Sequence, residues 1–433
     1  MLFSDGVAII ADDLTGANDT ALQFHIKGCT TKVLTNYKSI DSISENTQVW
    51  AVSTESRNID SETAKQRAKE ATADILQKFN VEYLYKKIDS TIRGNISAEI
   101  MGILEASNYE AAIIMPAFPY EGRITVGGYH LLKGQLIERT EIARDPSAPI
   151  YESHIPTVLK TGLEPQNKDI VALIELNTVK QGAGPILFKL NELLAAGKKL
   201  IVADAASSVD IEQVMLALQK CNKKILPCGS AGAAQALCEI VFPKTTYNKA
   251  ELEIPKLPKL IVSGSASALA AQQLKRLASD EDIENTYFIE ITPEQILNPE
   301  NDDIVERAVN NLNKTNTVVI HTSTLFSDLD AMTVMLFEKE ISRDAFISMI
   351  CDYLAEITNV ILHQKEAILV TVGGETTYKC LDTLNINSLK IIDEVVPSIP
   401  LCMDSSNRYF VTKAGNLGNS QTLCEVVKYF EKM

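Results

Sequence analysis

Short apolar runs of four to seven residues alternate along this chain with segments of helical spacing, a pattern that demands strands buried on both faces and separated by covering helices. In the first half the runs fall at 7–11, 48–53, 83–88, 111–115, 170–174, 200–203 and 224–227, and helices fit between most of them. A second series places strands near 259–263, 287–291, 317–321, 367–372, 390–396 and 408–412. The fold class expected is therefore α/β, with two α/β domains built on largely parallel sheets. Two domains are also what length requires, because 433 residues exceed the roughly 250–300 at which single cores stop growing. The segment FPKTTYNKAELEIPKLP (242–258) carries three prolines, several charges and no sustained period, and is expected to link a domain of residues 1–241 to one of residues 259–433. One stretch breaks the rhythm: RITVGGYHLLKGQLIERT (123–140) has Gly-Gly and Lys-Gly turns between short runs and reads as a β-hairpin excursion.

Charge and cysteine usage narrow the function. With 41 Lys+Arg against 56 Asp+Glu the net charge is −15, which disfavours nucleic acid or an anionic membrane as the main partner and leaves room for small anions at local sites. No run of about 18 apolar residues occurs, and the first residues lack a basic segment followed by an apolar one, so no membrane partner is expected and a cytoplasmic location is. The eight cysteines show no C-x-x-C spacing and the five histidines are dispersed, so neither a zinc site nor a disulfide framework is expected, and metal ligands stay unknown. A homo-oligomer is left open.

The chemistry gathers where strands end. In VAIIADDLTGANDTALQFHIKG (7–28), Val7 to Ala11 is strand-like, Ala17 to Lys27 has helical spacing and Gly28 is a stop. Asp12, Asp13 and Thr15 thus lie at the carboxyl end of a strand, the edge where open α/β sheets bind ligands. The competing reading is that one aspartate caps the helix, for which only one of the pair is needed. KKIDSTIRGN (86–95) sets Lys87, Asp89, Ser90 and Arg93 after another strand, and STESRN (53–58) adds Arg57. Cations beside hydroxyls suit a carboxylate or phosphate, which Arg grips bidentately, although an Asp–Arg pair inside a solvated turn has the same composition. MPAFPYEGRITVGGYHLL (115–132) supplies Arg123 and His130 beside glycines that turn geometry alone would explain.

In the second series the strand ends are poor in charge and rich in Gly, Ser and Thr. KLIVSGSASALAAQQL (259–274) places Ser263, Gly264 and Ser265 before a helix. ILVTVGGETTYKCL (368–381) places Gly373, Gly374, Glu375 and Thr376 likewise, and FVTKAGNLGN (410–419) sets Lys413 before Gly415. Helix N-terminal amides favour phosphate, and glycine lets the backbone approach it closely. Neither G-x-x-x-x-G-K-[ST] nor G-x-G-x-x-G occurs, which argues against P-loop and standard dinucleotide folds.

Taken in order, ADDLTGANDT, KKIDSTIRGN, MPAFPYEGRITVGGYHLL, DPSAPI, CGSAGAAQAL, VSGSASALAAQQL, VGGETT and TKAGNLG resemble the four-carbon acid sugar kinases, the threonate, erythronate and 3-oxotetronate kinases, over nearly the whole chain. The resemblance implies an N-terminal acid-sugar domain, a C-terminal ATP domain, an active site in the cleft between them, and ATP-dependent phosphorylation of a terminal hydroxyl. It places substrate contacts on Asp12, Arg57, Lys87, Asp89 and Ser90, and ATP contacts on Ser263, Gly373 to Thr376 and Gly415. Read with the residues themselves, Arg57, Lys87 and Arg93 would hold the substrate carboxylate. One of Asp12, Asp13 and Asp89 would orient the hydroxyl, with Asp12 and Asp89 the candidate catalytic residues. Mg²⁺ would bridge the phosphates, and Glu375 would either help hold it or cap its helix. Where the family shows Pro-Gly-x-Pro and Lys-Ser-Gly-x-Phe-Gly, this chain reads Pro397-Ser398-Ile399-Pro400 and Lys413-Ala414-Gly415-Asn416-Leu417-Gly418. A protein that binds acid sugar or nucleotide without turnover fits the same pattern, and an NAD-dependent dehydrogenase fits less well, since CGSAGAAQAL (228–237) resembles a dinucleotide turn only superficially.

Overall fold

Val7 to Ala11 are fully buried, the near-continuous apolar run of a parallel strand covered on both faces. In the computed structural model, which describes residues 6–42, 47–144, 149–243, 254–283, 285–299, 303–314, 316–323, 325 and 329–432, this run is strand β1 (Gly6–Ala11). The chain divides into two units, Met1–Tyr247 and Asn248–Met433. Most of the expected linker, residues 244–253, lies outside the described residues, as do residues 145–148 of the DPSAPI motif.

The strands of the first unit are β1, β2 (Thr31–Leu34), β3 (Val49–Ser53), β4 (Val81–Lys87), β5 (Ala111–Met115), a local set of β6 (Arg123–Val126), β7 (Tyr129–Leu132) and β8 (Gln135–Leu136), then β9 (Val171–Ile174), β10 (Leu200–Ala203) and β11 (Ile225–Gly229). Its main sheet runs β2-β3-β1-β4-β11-β5-β10-β9, and every pairing along it is parallel. The central strands β3, β1, β4 and β11 consequently open their carboxyl ends side by side, and the loops that leave them carry the polar motifs. The hairpin excursion is a small antiparallel sheet, β6-β7-β8. It is pinned to the main sheet by a bridge from Thr125 to Ala205 and by the Asp204 carboxylate, which accepts from the amides of Gly127, Gly128 and Leu176.

The second unit contains β12 (Lys259–Ser263), β13 (Thr286–Glu290), β14 (Thr317–His321), β15 (Ile368–Val372), β16 (Ser388–Val396), β17 (Ile399–Met403) and β18 (Tyr409–Lys413), in the order β13-β14-β12-β15-β18-β17-β16. The run from β13 to β18 is parallel, and β17 and β16 add antiparallel pairings at its end. Strand β17 escapes a sequence reading because Pro400 argues against a strand. The structure accommodates it opposite Glu394, where the β16 register shifts. Strand β2 escapes because it is four residues long with Lys32 inside it. The helix Arg343–Gln364 is, among the described residues, the one long and apolar enough to cross a membrane. Half of its most apolar window is buried, with Phe346, Ile350, Leu354, Ile357 and Ile361 turned inward.

Candidate functional site

The two aspartates after β1 have different jobs. Asp13 is the N-cap of the first helix, α1 (Leu14–His25), accepting from the Gly16 amide at 2.9 Å and the Thr15 hydroxyl at 2.5 Å. Asp12 caps nothing. Its two oxygens accept from Nε and Nη2 of Arg57 at 2.8 and 3.0 Å, while the same guanidinium donates to both oxygens of Asp13 at 2.9 and 2.6 Å. Arg57, leaving β3, is thus a fork closed on two carboxylates. Burial alone would raise the Asp12 carboxyl, and the charges of Arg57, Lys86 and Lys87 overcome it and hold the group below its ordinary value. Gly94, at φ +90°, lets a third loop close over the pair, since a Cβ there would lie 3.2 Å from Arg57 Cγ and 3.4 Å from an Asp12 oxygen.

The loop after β4 repeats the motif. Arg93 donates to Asp89 bidentately at 2.8 and 3.1 Å, and the Thr91 amide and hydroxyl donate to the same carboxylate. Against burial, Arg93 and Arg57 hold the Asp89 carboxyl well below its ordinary value. Ile92, between the pair, sits at φ +61°, which a β-branched residue adopts only when its surroundings impose it. Ser90 is half-buried at the edge, and its carbonyl oxygen lies 2.9 Å from His130 Nε2. Burial pushes the His130 imidazole down to about 4, so this Nε2–H donor holds the loop as a neutral group. One position back, Lys86 is fully buried and pairs with Glu99 at 2.5 Å.

Three groups at this edge are not closed in this way. Lys87 is buried, and its Nζ approaches Gly16, where a Cβ would be 2.9 Å from it. Arg123 is buried, and among the described residues its Nε is unpartnered and its one ion pair is to Glu121, at 3.6 Å. Asp19, one turn beyond Gly16 on α1, has a buried Oδ1 with no hydrogen-bond partner among the described residues. Burial pushes its carboxyl up to about 7, the charges of Lys87 and Arg123 opposing. Glu55, half-buried at φ +44° beside Asp13, is likewise pushed up to about 8 by burial. A sequence reading passes over Asp19 and Glu55. The available signal for Asp19 is the polar pair Asn18-Asp19 beside the apolar Ala17, Ala21, Leu22 and Phe24 of α1; Glu55 has none.

In the second unit the three expected loops converge. A Cβ on Gly264 would lie 2.5 Å from Thr376 Oγ1, one on Gly373 would lie 3.6 Å from Ser265, and one on Gly415 would overlap the Ser265 hydroxyl at 2.2 Å. The Ser267 hydroxyl, N-cap of the helix Ala268–Ala278, donates to Asn416. Gly373, at φ +117°, donates its amide to Lys413 O and precedes the helix Gly374–Thr383 without offering a capping side chain, so that helix's first amides keep no side-chain acceptor. Glu375 lies exposed in its first turn. The Ser263 hydroxyl is buried without a hydrogen-bond partner among the described residues. Beneath them Lys413 is fully buried, and among the described residues its Nζ donates only to the carbonyls of Ala414 and Gly415, at 2.8 and 3.3 Å. Burial, with no carboxylate opposing it, drives this ammonium down to about 7.

Two family models cover these two sets of loops: one described as a sugar-binding N-terminal domain matches residues 7–237, and one described as a nucleotide-binding C-terminal domain matches residues 260–423. The chain is 30% identical to a D-erythronate kinase of Heliobacterium modesticaldum, over 98% of this chain and 96% of the relative. The chain belongs to the four-carbon acid sugar kinase family. Within that family it is also 29% identical to a D-threonate kinase of Salmonella typhimurium, over 98% of each, and 23% identical to a 3-oxo-tetronate kinase of Actinobacillus succinogenes, over 95% of this chain and 96% of the relative. The fold matches the solved structure of a Salmonella typhimurium LT2 protein with a TM-score of 0.76 at 19% identity, covering 97% and 98% of the two chains. A Haemophilus influenzae protein matches with a TM-score of 0.70 at 20% identity, covering 98% and 99%.

Proposed function

We propose that this acid sugar kinase family member is a cytoplasmic enzyme that uses ATP to phosphorylate the terminal hydroxyl of a four-carbon acid sugar. The observation that carries the reading is the convergence of three glycine-bearing strand ends on a buried lysine that has no carboxylate partner among the described residues. Such a cradle suits the phosphates of a nucleotide, with Ser263, Gly264, Ser265, Gly373, Gly374, Thr376 and Gly415 around them and Lys413 as the cation. Phosphoryl transfer asks the protein chiefly for positioning and charge neutralisation, and both strand edges supply these. In the first unit Arg57, Lys87 and Arg93, with Ser90, bind the acid sugar, and Asp12, Asp13 and Asp89 set the guanidinium groups. Arg57 reaches a substrate carboxylate by exchanging one of its two aspartates for it.

Among the described residues no group of three or more His, Cys, Asp or Glu is arranged to hold a metal ion. Mg²⁺ in phosphoryl transfer needs only one or two carboxylates besides the phosphates, so the residues present fit a cation carried on the nucleotide with Glu375 beside it. Bound there, Mg²⁺ would neutralise charge on the phosphate oxygens. Incubation of the pure protein with ATP, Mg²⁺ and D-erythronate, D-threonate or 3-oxotetronate, followed as ADP, tests the reading. Acid-dependent ADP release is expected, and none with any acid overturns it. Ala414, where the family carries a hydroxyl, favours a binding protein without turnover, which the same samples would reveal as bound acid and nucleotide without ADP.

A further inference from the structure

One chemical anomaly in the first unit stays unassigned once that unit is read as an acid-sugar site, and its assignment rests on that reading. The carboxylates after β1 and β4 are saturated. Both oxygens of Asp12 are taken by Arg57, and those of Asp89 by Arg93 and Thr91. A carboxylate so paired is a poor proton acceptor, because protonation would strip an arginine of its partner. Asp19 is the opposite case. Its Oδ1 is buried with no hydrogen-bond partner among the described residues, whereas buried polar atoms are ordinarily bonded, and each exception calls for a cause. Close by, the buried Arg123 has an Nε with no acceptor, and the buried Lys87 ammonium lies over Gly16, one turn before Asp19 on the same side of α1. An acceptor and donors left unmet at one strand edge match a small molecule that carries both a hydroxyl and negative oxygens.

We propose that Asp19 receives the hydroxyl of the acid sugar that is phosphorylated and takes its proton, with Lys87 and Arg123 holding substrate oxygens beside it. The hydroxyl oxygen forms the bond to the γ-phosphorus of ATP, the bond from that phosphorus to the bridging oxygen breaks, and its electron pair leaves with ADP. The hydroxyl proton passes to Asp19 and then to solvent. The groups facing Asp19 are Lys87 and Tyr85 of β4, Asp13 at the head of its own helix, Glu121 from the loop after β5 and Arg123 at the start of β6; Glu239, on the helix Ala231–Val241 packed against α1, is occupied by Lys27. Among these, burial dominates and sets the carboxyl at about 7, close to the working pH that suits a general base.

The test measures ADP release and acid-sugar binding for the full chain and for Asp19→Asn between pH 5.5 and 8.5. Wild-type kcat should rise as the pH passes about 7 and the carboxyl loses its proton; in Asp19→Asn kcat should fall roughly 10²-fold and that rising limb should vanish, with ATP affinity unchanged. A variant that keeps wild-type kcat and the limb overturns the proposal. If Asp19→Asn does not fold, Asp19→Glu decides, since a carboxylate displaced by one methylene should retain the limb at a kcat at least about tenfold lower, and wild-type kcat overturns the role. Absence of ADP from the wild type with every acid overturns the kinase reading instead. Calorimetric binding of D-erythronate and D-threonate then judges the subsite alone: a roughly tenfold or greater loss in Asp19→Asn supports it, and equal or absent binding overturns it.

Discussion

The strand edges of the two units solve the problem of charge without ligand in opposite ways. In the first, Arg57 and Arg93 are closed on Asp12, Asp13 and Asp89, so most of the charge is internally neutralised. In the second, Lys413 is buried against two carbonyls and the amides around it face no side-chain acceptor. A self-neutralised site has to exchange partners when its ligand arrives, which gives selectivity at a cost in affinity. A site whose cation has no internal counter-ion has no partner to exchange and needs only its proton to receive an anion. Acid-sugar binding should therefore be the weaker and more geometry-sensitive of the two, and nucleotide binding the one that responds to pH through a lysine.

The largest effect expected from this comparison is that of Asp12→Asn. Asparagine offers Arg57 one acceptor and turns an amino group toward it, so the fork loses its bidentate partner and swings from place. kcat/KM for the acid should fall about 10²-fold, the scale of a misplaced positioning group, with ATP affinity intact and the shape of the pH profile kept. Stability should move with it. The Asp12 carboxyl is held below its ordinary 3.8, so its contribution is present above that value and is lost as pH falls through the lower folded value; the gap in thermal midpoint between wild type and variant should thus be full at pH 7 and close on acidification. An equal loss of ATP affinity would break the contrast between the units.

Lys413→Met addresses the other side of the comparison. Removing a charge-assisted contact of about 1.5–3 kcal/mol should weaken ATP roughly 10- to 100-fold and leave acid-sugar binding alone. The wild-type lysine, at about 7, is largely neutral at pH 8, and phosphate should restore its proton, so ATP binding at pH 8 should take up about one proton per nucleotide, measured by calorimetry in buffers of different ionisation heat. Between about 7 and its ordinary 10.5 the unfolded lysine binds more protons than the folded one, so wild-type stability should gain with rising pH from this group, and Lys413→Met should lose that gain. Unchanged ATP affinity in the folded variant would remove Lys413 from the site.

Legibility in the sequence follows the same divide. The alternation of apolar runs locates the parallel strands because burial on both faces leaves a continuous signal. β2, interrupted by Lys32, and β17, carrying Pro400, lack that signal and are fixed by their neighbours in the sheet. Strand-end motifs gather Asp12, Arg57, Asp89 and Arg93 correctly onto one edge. Which of them pair with one another, and that Asp13 rather than Asp12 caps α1, depend on the register of β1 against β3 and β4, which local pattern does not contain. Asp19 is hidden for a related reason: the chain shows a polar pair, Asn18-Asp19, on α1, but that Asp19 Oδ1 finds no partner among the described residues depends on what the fold brings beside it.

The smallest effect tests a departure from the family pattern. Pro397 and Ser398 form the turn between β16 and β17, and Ser398 holds φ +65°, the value a type II turn requires at its third position and the reason glycine is favoured there. Serine keeps the turn at a cost, and its backbone amide donates to Glu394 at 2.9 Å, a bond that glycine retains. Ser398→Gly should relieve about 1–2 kcal/mol of left-handed strain and give back up to about 1 kcal/mol through the freer unfolded chain, for a net gain of several tenths to about 1 kcal/mol. In a unit of this size that is a rise of roughly 1–4 °C in its thermal midpoint. The matching change in the first unit, Ile92→Gly, relieves the same kind of strain but deletes a side chain that is 4% exposed, and burial of an isoleucine outweighs left-handed strain, so that variant should lose stability. Opposite signs for the two variants would mean that strain in the first unit is imposed by the packing around the Asp89–Arg93 pair, whereas strain in the second is a local choice of residue. A gain in both would show that Ile92 is held by its turn alone.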